Sequence, residues 1–437
     1  MLETFALRQQ YNSLRQELSY ALYAQDAAQR VVARLIKERD AAREYVCHMV
    51  LLLLCLTTNV CRALSSVAAT MNVDAPAAAG DVEMGDSAPE AGGLPAEVLK
   101  AIDETHQALS ATRKKRKAPA GYATAADVKG YTSKHTIPSL HSPSPSGITS
   151  IAVSTSSSSQ FLTGGNDKIV QLYDRSTDKV LASLKGHTKK VTHVALRERE
   201  GEPTLILSAS ADKSAKVWAH DSASGEYIPK ATIRTHKGEL TGLAVHPTST
   251  LLALGSLDRT WSLHDLNTFS QVFRAPESEE PFTSLNVHPD GTLVALGTPG
   301  GSIQVFDIRA GALATTLAPE GAAPFTVGTL SFSENGYHLA APDSLSSVAV
   351  WDLRKPKVAK SLALGDAFKV ARVAYDYSAG FLGVAGSEGL RVFANKSWEE
   401  LVRFEEGGEV ADFVFGAEGK EIWGVTGREV RVWGAAE

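Results

Sequence analysis

One feature limits this chain more than any other: a strand that ends on an aromatic or imidazole ring recurs seven times. The strand-ending pairs are Tyr173-Asp174, Trp218-Ala219, His264-Asp265, Phe306-Asp307, Trp351-Asp352, Phe393-Ala394 and Trp433-Gly434, each 40–46 residues from the next. That interval is the length of one four-stranded blade of a β-propeller. A single blade cannot bury both of its faces, so its neighbours must supply the missing contacts, and seven endings predict seven blades. The clearest copy is residues 205–218, where an apolar run meets a polar turn at Asp212 and an alternating strand then closes on Trp218.

Gly186-His187 precedes that copy, and together the parts resemble a WD repeat. The resemblance covers residues 134–437, about 70% of the chain, and rests on spacing, turn position and terminal ring recurring together. On it, His187, Ser208, Asp212 and Trp218 match the family's structural hydrogen-bond tetrad. The physical sense is satisfiability: a buried indole N–H needs an acceptor and a buried carboxylate needs donors. A catalytic or metal-binding role for His187 and Asp212 is the competing reading, but the structural role explains the same spacing. Blade 1 offers Thr163, Asp167 and Tyr173; blade 3 keeps His236 and Asp258 but has Leu254 and His264 at the other two positions. The later blades have largely lost the set and are expected to depend on apolar packing.

The last repeat ends on the strand Glu429–Trp433 and has no outer strand of its own. Residues 131–140 are extended in character and precede the first full repeat. They are expected to pair with the last blade and latch the ring, since an unpaired edge would otherwise stay open.

Formal net charge is −5, which gives no general affinity for nucleic acid. The three cysteines (Cys47, Cys55, Cys61) lie in one short segment, so there is no disulfide framework, and a reducing compartment fits. No basic stretch followed by an apolar core opens the chain, so a secretory signal is not expected.

Residues 3–44 read as one helix with a sustained heptad pattern and no Pro or Gly inside. The seam is Leu7, Tyr11, Leu14, Leu18, Ala21, Gln25, Ala28, Val32 and Leu35. Five heptads exceed what one propeller face needs, which favours self-association in a bundle over packing on the chain's own ring. Leu-Arg-Gln-Gln at 7–10, Arg-Gln-Glu-Leu-Ser at 15–19, Ala-Leu-Tyr at 21–23 and the run from Asp26 to Leu35 resemble the coiled coil of the pre-mRNA-processing factor 19 family. That family joins a U-box, a tetramerising coiled coil and a WD-repeat propeller. The resemblance implies an oligomeric scaffold, a homotetramer, in a nuclear splicing assembly, the NineTeen complex. Implied partners are spliceosomal proteins, including a Myb-type cell-division-cycle splicing factor, and implied activities are ubiquitin-protein ligation and DNA repair. Ligation needs a U-box to orient a ubiquitin-charged conjugating enzyme. Only Met1-Leu2-Glu3 precede the heptads here, so the chain as given is expected to scaffold without transferring ubiquitin, and the conjugating enzyme is expected as a partner only if a U-box lies upstream.

Residues 45–62 break the heptad texture. The apolar run Met49–Leu56 is too short for a bilayer of about 30 Å, which takes about 20 residues. A translated intron explains more: removing these 18 residues brings Leu64, Val67 and Met71 onto positions that continue the 4–3 spacing after Ala42. A true buried helical segment remains the other reading, and it would leave an adhesive patch. Residues 63–71 then continue the coiled coil.

Residues 72–130 read as a flexible linker, acidic at first, with a short helical pattern over 94–112. Arg113, Lys114, Lys115, Arg116 and Lys117 form a compact basic run that suits a nuclear-import receptor, with solvated linker charge as the plain alternative. No aromatic residue interleaves the run, so RNA contact ranks low. The expected localisation is the nucleus.

No phosphate-binding glycine loop, paired Cys-x-x-Cys or His-Glu-x-x-His occurs, and nothing assembles a nucleophile with its base, so neither catalytic residues nor a cofactor are expected. Neither a membrane nor direct sequence-specific nucleic-acid binding is expected. His246-Pro247 and His288-Pro289 fall at equivalent repeat positions and read as turn structure rather than metal ligands. The fold class is thus mainly β: a seven-bladed WD-repeat propeller over 131–437, read as a docking ring, behind an N-terminal coiled coil and linker. A transcriptional co-repressor of the Tup or Groucho type couples similar parts and is the alternative function.

Overall fold

The computed structural model describes residues 94–113, 121–199, 201–221, 225–319 and 325–435. The expected seam from Leu7 to Leu35, the segment 45–62, the continuation 63–71 and Lys114 to Lys117 lie outside the described residues.

Residues 131–435 form seven four-stranded antiparallel sheets in a ring. Strands a to d of blade 2 are Val191–Arg197, Leu205–Ser210, Ala215–His220 and Tyr227–Ile233. Strand b is buried at every position because both faces meet neighbouring blades, which is why Leu-Ile-Leu-Ser-Ala-Ser carries no charge. The outer strand of blade 1, Lys179–Leu184, is mostly exposed. In blades 1 to 6 the pairing of strands c and d slips by one residue next to the strand-ending ring, for example between Val217 and Trp218. Such bulges add the local twist a propeller blade requires.

The core lies between blades rather than within them. Leu162, Val170 and Leu172 of blade 1 pack on Val191, Val194, Ile206 and Trp218 of blade 2. A polar hook accompanies this packing. The second residue of strand a, or the one before it, is Thr149, Thr192, Thr241 and Thr283 in blades 1 to 4. Each hydroxyl donates to a carbonyl of the next blade: Val191 O (2.6 Å), Leu240 O (2.8 Å), Phe282 O (2.6 Å) and Val327 O (2.7 Å). His246 and His288 form a second set of blade-to-blade bonds, donating Nε2–H to Gly291 O (2.7 Å) and Gly336 O (3.1 Å). Burial lowers the pKa of both imidazoles to about 4.

Closure follows the expected route. Strand β1 (Tyr131–Ile137) pairs antiparallel with strand c of the last blade, from Tyr131 opposite Ala435 to Ile137 opposite Val430, and supplies that blade's outer strand.

Within the linker, the segment read as a short helical pattern over 94–112 is held against the ring. Helix α1 (Ala96–Arg113) is docked on the ring. Ile102, fully buried, and Leu94 enter a cluster with Trp261, Phe273, Phe282, Phe306 and Ile308 of blades 3 and 4. Asp103 pairs with Arg309 at 3.3 Å. At the helix C-terminus Arg113 pairs with Asp290 and donates from Nε to Glu334 O at 2.9 Å. Arg113 opens the basic run in the sequence, yet its side chain is only 10% exposed, so docking withdraws it from that run. Helix α2 (Ala125–Lys129) starts at a capping box formed by Thr124 and Asp127, and its Val128 is buried against Trp433 and Phe404. No described helix is long and apolar enough to cross a membrane.

Candidate docking face

In each antiparallel blade the b–c turn and the loop that enters strand a meet at the same end of the sheet. At that end of blade 2, His187 Nδ1 lies 2.9 Å from Asp212 Oδ2 and His187 Nε2 lies 2.7 Å from Ser208 Oγ. The Asp212 carboxylate also accepts from Thr188 N at 2.9 Å and Ser214 N at 3.0 Å. Burial alone would raise the Asp212 pKa. The hydrogen bonds from His187, Ser214 and Thr188 outweigh it and hold the carboxyl below the usual carboxylate range. Trp218 joins through its ring, edge-on to His187 at 5.9 Å between centroids.

Blade 1 holds the same relay. His141 Nδ1 is 2.9 Å from Asp167 Oδ1 and its Nε2 is 2.9 Å from Thr163 Oγ1. Repeat spacing points to Thr163 and Asp167 but not to His141, which lies in the Ser/Pro stretch 141–147. Its interval to Asp167, nearly that from His187 to Asp212, was the available signal.

Blade 3 reaches the same end differently. His236 Nδ1 lies 3.0 Å from Asp258 Oδ2, and Leu254 fills the usual hydroxyl position. The hydroxyl comes instead from Ser262, which sits opposite Leu254 on strand c and lies 2.7 Å from His236 Nε2. Ser262 then reaches His264 Nε2 at 2.9 Å, so the strand-ending imidazole extends the chain of bonds. Burial, with a smaller contribution from His236, drops the His264 pKa to about 3.

The order hydroxyl–imidazole–carboxylate is that of a nucleophilic triad. Ser208, Thr163 and Ser262 are all 0% exposed, so no substrate reaches the hydroxyls. The arrangement fixes turns. Each Asp accepts from the backbone N–H two residues on, in Ile169, Ser214 and Thr260, which bends the b–c turn and holds it against the entering loop. No group of three or more His, Cys, Asp or Glu side chains is placed to hold a metal among the described residues.

A closed ring of seven four-stranded blades with these turns is the architecture of a WD-repeat protein. The WD domain, G-beta repeat model matches residues 134–174, 178–219 and 228–265, the three blades that carry a relay. The Prp19/Pso4-like model matches residues 1–49. Pre-mRNA-processing factor 19 homolog 2 of Arabidopsis thaliana is 33% identical over 401 residues, 91% of this chain and 72% of that protein. Pre-mRNA-processing factor 19 of Oryza sativa subsp. japonica is 34% identical over 446 residues, 99% of this chain and 81% of its own length. The Homo sapiens protein of that name is 34% identical over 427 residues, 97% and 80% respectively. The chain therefore belongs to the pre-mRNA-processing factor 19 family.

Proposed function

We propose that this chain works in pre-mRNA splicing in the nucleus, as an oligomeric scaffold of a NineTeen-type complex. The observation that supports it most is the extent of the kinship. Relatives named for pre-mRNA processing align with nearly the whole chain, from the heptad segment through the ring. A coiled coil that gathers four rings turns weak contacts on each into avid binding. Spliceosomal proteins, among them a Myb-type cell-division-cycle factor, are the proposed cargo. Ubiquitin transfer, the family's enzymatic role, belongs to a U-box, and no segment of residues 1–437 reads as one.

Affinity purification of the tagged full chain from nuclear extract, followed by mass spectrometry, tests this. Splicing factors are expected in the eluate. Recovery of histone deacetylases without splicing factors would move the chain to the co-repressor class. Sedimentation of the purified chain tests the scaffold: a single copy per particle, with residues 45–62 deleted or retained, would remove the oligomeric part of the reading.

A further inference from the structure

The residue after each relay aspartate is a cation in the left-handed backbone region: Lys168 (φ 70°), Lys213 (φ 70°) and Arg259 (φ 68°). Glycine suits that region, and an L-residue there is strained. Blade 4 has Gly301 at the matching position (φ 87°), and the turns of blades 6 and 7 place Gly389 and Gly427 at positive φ. The three relay blades thus hold a charged side chain outward where glycine would be the relaxed choice.

The neighbouring loops add exposed Lys185, Arg234 and Lys237. Among the described residues none of these six cations has a carboxylate partner. The nearby aspartates face inward to their histidines, and Glu239 is taken by Lys189 at 3.6 Å. Lys216, which donates to Thr232 Oγ1 at 3.0 Å, has its pKa lowered by burial and then by the Arg234 guanidinium, cation facing cation. Glu277 and Glu279 border the arc beside Arg259, whose carbonyl accepts from Ser278 N at 2.9 Å, and further round the face the loops carry Asp366, Glu388, Glu405 and Glu406 with Lys369 among them. Leu257 is exposed beside Asp258, inside the basic arc.

We infer that the arc formed by the relay turns and entering loops of blades 1 to 3 binds an acidic peptide segment of a partner protein, with Lys168, Lys213 and Arg259 as its central cations and Leu257 as an apolar foothold. The acidic remainder of the face orients the peptide by repulsion. A peptide fits better than RNA because base recognition on single strands uses exposed aromatic rings. The exposed aromatics among the described residues, Tyr337 and Tyr377, lie in a–b turns at the opposite end of the blades.

This deepens the proposal that the ring is a docking platform and rests on it. The test is fluorescence anisotropy of the full chain with a labelled peptide of alternating Asp, Glu and Leu, and separately with a single-stranded RNA oligonucleotide of equal charge. The variant is Lys168→Gly/Lys213→Gly/Arg259→Gly. Glycine relaxes the backbone at all three positions, so a melting temperature no lower than that of the parent shows that folding is intact. The peptide is expected to bind in a salt-dependent way, and the variant to bind it about tenfold more weakly. Equal peptide affinity for parent and variant overturns the inference, as does tighter binding of the RNA. Neither result touches the splicing assignment, which the purification decides.

Discussion

Blades 2 and 6 share the same four strands and hold them by different means. Blade 2 places a chain of hydrogen bonds, Ser208 to His187 to Asp212, between the entering loop and the b–c turn. Blade 6 fills the same end with Phe368, fully buried, and lays the Arg391 guanidinium over its ring at 4.5 Å while Nη1 donates to Leu364 O at 2.8 Å. Apolar fill tolerates small changes of angle, whereas a relay of three bonds does not. The difference teaches that the ring places its buried hydroxyl–imidazole–carboxylate relays in blades 1 to 3, whereas blade 6 closes the same end on a buried ring with a few hydrogen bonds around it. The inter-blade threonines follow a similar divide. They run from blade 1 to blade 4 and stop, and Ala371 and Ala411 stand at the second position or just before strand a in blades 6 and 7.

The sharpest way to break this contrast is to cut a relay. His187→Ala leaves Asp212 without its imidazole and Ser208 without a partner, and is expected to destabilise the ring by about 3 kcal/mol. Ser387→Ala, which removes an exposed hydroxyl that donates to Ala367 O and accepts from Lys369 N in blade 6, should cost about 1 kcal/mol or less. Chemical denaturation of the two variants decides it, and equal losses would erase the distinction. Next in size is acid. Burial holds His246 and His288 near pKa 4 and His264 near 3, all below the ordinary value of about 6.5 for a free imidazole. A lowered folded-state pKa means the unfolded chain takes up the protons first, so stability falls as pH drops from about 6.5 towards 4. Asp212 and Asp258 also have depressed pKa values, and their contribution disappears only below about pH 4. A denaturant midpoint that stays flat between pH 7 and pH 5 would contradict the imidazole assignment.

Smaller again is Ile102→Ala. It trims the side chain that seats α1 between blades 3 and 4, at an expected cost of about 2–3 kcal/mol confined to helix docking rather than the whole ring. Faster proteolysis around residues 94–113 with an unchanged melting temperature is the expected signature. The smallest effect is Thr241→Val, which removes one hook to Phe282 O and should cost about 1 kcal/mol. A matching change at Thr192 tests whether the hooks are equivalent.

Seven blades and the latch were legible because strand-ending rings and an orphaned last strand are local signals that survive divergence. The relay of blade 2 was legible for the same reason. Ser262 was not: its hydroxyl replaces one expected at position 254 across a strand pair, and only pairing register brings the two positions together. His141 lies in a Ser/Pro stretch that lacks the Gly-His pair marking the entry to blade 2. The docking of α1 was hidden too, because the apolar residues Leu94, Val98, Leu99 and Ile102 look like any short helix until the groove that receives them exists.

Strand β1 carries one last consequence. Its partner, strand c of the last blade, lies on the order of 300 residues further along the chain, so this contact has the greatest sequence separation in the ring and among the slowest routes to form. As the polypeptide leaves the ribosome, six sheets can assemble into an open arc while β1 waits with bare amides on both edges. Nascent chains in that state are prone to pair with one another. The step at which a newborn molecule is lost or rescued is therefore the arrival of the strand Glu429–Ala435.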